Sequence, residues 1–108
     1  MLTRMAVFEG KINVGREKAF FDFVEERLVP LWRRFPHARN VRVLKAIKSD
    51  DGAPPVAMTL AIDFPSLEAI DEALASDVRT QARAATADLV KMFEGRIYHI
   101  VHEQIGAA

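Results

Sequence analysis

Apolar side chains recur along this chain in two rhythms, and the order in which the rhythms alternate predicts its architecture. Residues 5–14, MAVFEGKINV, alternate in part, with Val7, Phe8, Ile12 and Val14 apolar, which predicts a strand. After Gly15 the spacing changes. Phe20, Val24, Leu28, Leu31 and Phe35 recur every three or four residues and form one stripe of a helix. Pro30 lies inside that helix, lacks a backbone donor and clashes with the carbonyl four residues back, so a kink is expected near Glu26–Pro30. Pro36 ends the helix, because the residue before a proline is pushed out of the α region.

Residues 40–49, NVRVLKAIKS, alternate again and run into DDGAPP, a turn cluster with Asp-Gly at its centre. In VAMTLAIDF, Val56, Met58, Leu60, Ile62 and Phe64 share one face, and Ala57, Thr59, Ala61 and Asp63 the other. These two segments read as an antiparallel hairpin. Ser66 is a helix N-cap, with Ala69 where a full capping box places Glu. Ser76-Asp77 predicts a break before a second helical piece over 77–93, whose stripe is Val78, Ala82, Ala85, Leu89 and Met92. Gly95 is expected to stop that helix. RIYHIVHEQ is the last strand.

The order is βαββαβ in one domain spanning residues 1–108. Two right-handed crossovers in this order give a ferredoxin-like α+β fold: a four-stranded antiparallel sheet with both helices on one face. The other face stays uncovered. With Val41, Val43 or Leu44 on it, a partner must cover it, and a second copy of the chain is the simplest.

Composition narrows the function classes. Fifteen basic residues balance fifteen acidic ones, which argues against a nucleic-acid partner. Arg27, Arg33, Arg34, Arg39 and Arg42 are the one basic cluster in the sequence. Cysteine is absent, so disulfides and thiol chemistry are excluded. No run approaches the roughly 18 apolar residues of a membrane helix, and the start MLTRMAVFEG has no signal-peptide core, so a cytoplasmic protein without a membrane partner is expected.

Two short runs resemble a known family. In ERLVPLWRRFPHARNVRVLKA, Pro30-Leu31, Arg34 and Pro36 fall where the EthD-like branch of the dimeric α/β-barrel superfamily has a Pro-Leu, a basic residue and a Pro-Gly. In FPSLEAIDEALAS, Phe64 and Ser66-Leu67-Glu68-Ala69 match a Phe-Asp-Ser-Leu-Glu-Ala type helix start, with Pro65 in place of Asp. The resemblance spans roughly residues 5–103 and extends to small antibiotic-biosynthesis-type monooxygenases. It implies a homodimer whose two sheets face each other in a barrel. It also implies cofactor-independent oxygenation, isomerisation or a related rearrangement of a small apolar or aromatic molecule. The alternative is a dimer that binds such a molecule, or serves structurally, without catalysis. Two departures bear on that choice. Many relatives have a histidine two positions before the helix proline, where this chain has Leu28. The glycine after the second proline is His37, which tolerates a left-handed backbone better than most residues.

The residues that could carry chemistry are few. Trp32 lies one turn beyond Leu28, and the two would wall an apolar cleft where Pro30 lets the helix stand off the sheet; a core or interface tryptophan is the plainer reading. His37, as a catalytic proton carrier near neutral pH, and Arg39, as a group able to hold a carboxylate or enolate, would form its mouth, or else be solvated loop residues. Asp63 or His99 would supply its polar end, with an acid–base pair of Asp63 with Tyr98 or His99 set against a structural ion-pair network of Glu9, Lys11, Thr59 and Asp63. His99 and His102 are three apart on a strand and face opposite ways, so no metal site is expected. No phosphate loop and no flavin, haem or nicotinamide signature is present, so no cofactor is expected.

Overall fold

The computed structural model describes residues 1–106. Its elements are β1 (Leu2–Ile12), α1 (Glu17–Phe23), a π-helical turn (Val24–Leu28), α2 (Val29–Arg33), β2 (Arg39–Lys45), β3 (Val56–Phe64), α3 (Leu67–Leu74), α4 (Asp77–Leu89), a 3-10 turn (Val90–Met92) and β4 (Phe93–Glu103). The strands form one antiparallel sheet in the order β2-β3-β1-β4, the ferredoxin-like topology. The sheet is open, with β2 and β4 as edges, so one chain alone makes no barrel.

The expected kink is the π-helical turn. The Val29 N–H bonds to the Val24 carbonyl, five residues back. Pro30 cannot donate to the carbonyl of Glu26, and the widened turn makes room for its ring before α2 resumes with Pro30 in its first turn. At the far end, the N–H groups of Arg34 and Phe35 bond three residues back, to Leu31 and Trp32, which tightens the last turn. His37 then takes φ 64° and turns the chain into β2. Both serine caps form: Ser66 Oγ accepts from Ala69 N at 3.1 Å and Ser76 Oγ from Arg79 N at 3.3 Å.

Gly95 does not end a helix. α4 stops at Leu89, the 3-10 turn follows, and Phe93 is already extended. Gly95 instead pairs with Gly10 across β4 and β1, at φ 155° and 147°. A Cβ on either would lie 2.1 Å from a carbonyl oxygen of the facing strand. The two backbones pass too closely for any side chain.

Cross-strand registry divides the side chains between the two faces. On the inner face, under the helices, lie the rows Ala6–Leu60–His99 and Phe8–Met58–Ile97. Phe8, Phe20 and Phe93 pack edge-on with centroids 6.0–6.4 Å apart at the Phe8 ring, and Leu28, Met58, Ile62, Phe64 and Leu89 complete the fully buried core. Each such side chain contributes about 1.5–3 kcal/mol by leaving water. The outer face carries Met5–Ala61–Ile100 and Val7–Thr59–Tyr98. Val41 and Val43, expected to make the outer face apolar, instead approach Glu25, Val29 and Arg33 under the long helix. Leu44, half exposed, does lie outside, opposite Thr59.

Candidate functional site

A cavity of about 330 Å³ opens between the inner sheet face and the helices. That is within the range of small-molecule sites. Strand alternation delivers Arg4, Ala6 and Phe8 from β1, Leu60 from β3, and Ile97 and His99 from β4. Trp32 and Phe35 come from the end of the kinked helix. Arg79, Ala82, Arg83 and Thr86, spaced along one stripe of α4, close the other side. Phe8, Trp32, Phe35 and Leu60 make an apolar wall, each less than a tenth exposed.

The opposite end is cationic. Arg4 and Arg79 are half-buried and Arg83 is exposed at the rim. No carboxylate lines the cavity, and among the described residues none of these three arginines pairs with an acid. Arg79 has one long bond to the Leu74 carbonyl, at 3.4 Å. Partial burial, with Arg79 nearby, lowers the Arg4 pKa from its ordinary value. His99 is exposed on one side and packed against the cavity on the other; its pKa is pushed down to about 4, first by this partial burial and then by repulsion from Arg4 and Arg79. The ring is therefore neutral at pH 7, with one nitrogen free to accept a proton.

The structure brings together only part of the expected constellation. Trp32 and His99 share the cavity. Leu28 is fully buried in the core and does not line it. His37 Nε2 lies 2.6 Å from Glu72 Oε2, bracing the turn against α3, and Arg39 is exposed at the start of β2; neither borders the cavity. Asp63 lies on the outer face, so it cannot meet His99. Its oxygens accept from Thr3 Oγ1 at 2.7 Å, Asn40 Nδ2 at 3.2 Å and Arg42 at 3.2 Å. Although burial works against it, these donors hold its carboxyl below the usual aspartate value. Tyr98 is also outside, beside the Arg96–Glu9 pair. His102, opposite Thr3, faces away from His99. Among the described residues, no three His, Asp or Glu side chains converge on a point suited to a metal ion. No helix among them is long and apolar enough to cross a membrane.

Arg4, Phe35, Arg79, Arg83 and Thr86 were missed from the sequence. Arg4 precedes the segment read as the first strand. Arg79 and Arg83 flank the apolar stripe of their helix, and their i,i+4 spacing beside Ala82 was the signal that could have placed both on one side.

The fold is shared with several solved structures. An EthD family protein from Bacillus halodurans superposes with a TM-score of 0.74 at 19% identity, over 97% of this chain and 99% of that one. A dimeric protein of unknown function with a ferredoxin-like fold, from Bacteroides fragilis, matches at 0.69 and 12%, over 95% of each chain. An antibiotic biosynthesis monooxygenase matches at 0.65 and 12%, over 98% and 100%. No family model matches the sequence, and no curated protein matches it significantly.

Proposed function

We propose that the chain is a homodimeric, EthD-like protein that takes a small apolar or aromatic molecule into the cavity between sheet and helices. The observation that carries this reading is the cavity itself: an apolar wall of Phe8, Trp32, Phe35 and Leu60, with a neutral imidazole at its polar end. His99 is the proton acceptor. It takes a proton from an acidic C–H or O–H of the bound molecule, whose electron pair stays behind as an enolate or phenolate. Return of the proton to a different carbon completes an isomerisation, and cofactor-independent oxygenation starts from the same anion.

Dimerisation follows from the outer sheet face. Met5, Val7, Leu44, Tyr98 and Ile100 form an apolar field there, with the Asp63 and Glu9 networks at its margins. A fold neighbour is described as dimeric. A second copy laid on this face closes two open sheets into a barrel.

A thermal-shift panel of aromatic acids and quinones tests binding, with Trp32→Ala as the control. Stabilisation that disappears in the variant supports the reading. Stabilisation that persists unchanged places the site elsewhere. A second reading, binding without turnover, is favoured by the buried Leu28 where relatives carry histidine. Deuterium incorporation into a bound C–H acid, abolished by His99→Gln, separates the two.

A further inference from the structure

We infer that the ligand of this cavity is a carboxylate: Arg4 and Arg79 hold its anionic group, and its apolar body lies against Phe8, Trp32, Phe35 and Leu60. The inference rests on the cavity being the binding site, and it names the class of molecule bound there.

The chain has as many acids as bases, so unpaired arginines are not forced by composition. Elsewhere the basic side chains either meet an acid, as Lys18, Arg42, Lys45, Lys91 and Arg96 do, or stand exposed to water, as Lys11, Arg16, Arg27, Arg33, Arg34, Arg39 and Lys48 do; Arg4 and Arg79 are half-buried without either. Arg4, Arg79 and Arg83 find no acid among the described residues, and all three border one cavity. Arg79 and Arg83 are also four apart on α4, a like-charge spacing that destabilises a helix by a few tenths of a kcal/mol. No acid among the described residues pairs with either to offset that cost. An anion between α4 and β1 would. Guanidinium suits a carboxylate because its fork can donate two parallel hydrogen bonds. Half-buried in the cavity wall, Arg4 and Arg79 act with less screening than surface charges, while the exposed Arg83 attracts the anion from solution.

The same arrangement couples binding to the proton. His99 is kept neutral partly by Arg4 and Arg79, so an anion that neutralises them makes the ring a stronger base when substrate is present. The empty site holds a weak base and the loaded one a better base.

The experiment uses matched probes, 2-naphthoate and the neutral 2-naphthamide, titrated calorimetrically into the intact protein. The indole N–H resonance of Trp32, the chain's single tryptophan, reports occupancy of the cavity. Naphthoate is expected to bind at least tenfold more tightly than the amide. Arg79→Gln and Arg4→Gln should each reduce that preference to threefold or less by weakening naphthoate far more than the amide, whereas Arg79→Lys should retain part of it. Arg96→Gln, on the outer face, should change nothing. Equal affinities for the two probes, or a preference that survives both Arg4→Gln and Arg79→Gln, would overturn the carboxylate assignment and leave the cavity as a site. Binding of neither probe, with the Trp32 resonance unmoved, would overturn the cavity as well.

Discussion

His99 should titrate far below an ordinary histidine. Its ring is pushed down to about 4 by partial burial in the cavity wall and by the positive charges of Arg4 and Arg79, against 6.5 in an unfolded chain. Between those values the unfolded chain binds a proton that the folded chain refuses, so folding stability rises with pH across this window. The contribution is complete above pH 6.5, declines as the solution is acidified, and is gone below 4. A displacement this large would amount to about 3 kcal/mol for a fully enclosed group, but the ring's edge meets solvent, so about 1–2 kcal/mol is expected. Urea unfolding at pH 7 and pH 4.5 measures it, with His99→Gln as the variant that lacks the titrating group and so loses this part of the slope. Proton NMR of the imidazole gives the pKa directly. Arg79→Gln should raise it only partly towards 6.5, because burial is the larger cause. A His99 that titrates near 6.5, or a stability slope indifferent to His99→Gln, would refute the placement of the ring at a partly desolvated, cationic cavity wall.

Other expectations follow from packing. Gly10→Ala puts a Cβ 2.1 Å from the Glu94 carbonyl at a φ that alanine avoids, so it should cost about 3 kcal/mol or more in chemical denaturation, where Gly52→Ala costs far less. Ile100→Asp places a charge on the apolar outer face beside Met5, and light scattering at micromolar concentration should show monomers for it and dimers for the parent chain; a monomeric parent would end the dimer proposal. Leu28→His buries an imidazole among apolar neighbours and should lower stability by about 3 kcal/mol by urea unfolding.

Local chemistry carried much of the fold into the sequence. Alternation over Val56–Phe64 set the bounds of β3, Ser66 and Ser76 marked their helices, and Pro30 announced the π-helical turn. These signals act within a few residues, where propensity and capping decide. Gly95 was misread because a glycine after a helical run has two uses. Its actual one depends on Gly10, which comes near only through the sheet. Of the cavity lining, Trp32 and His99 were legible, since their positions follow from one helix face and one strand face. Asp63 was assigned a strand face correctly. What the sequence does not show is the cross-strand registry: Asp63 pairs with Thr3 and His99 with Ala6, three residues apart on β1, and this puts Asp63 and His99 on opposite faces. Arg4 and Arg79 share the cavity only because the topology brings β1 and α4 to opposite sides of it. Each alone looks like an ordinary solvated arginine.

The central claim is that ligand enters between the inner sheet face and the helices, and strand alternation provides its most direct test. Methyl NMR of the protein titrated with 2-naphthoate should shift Ala6, Leu60, Ala82 and Ile97, which line the cavity. Met5, Val7, Ala61 and Ile100, one residue away along the same strands but on the other face, should stay still. Shifts confined to that second set, or spread equally over both, would contradict the account.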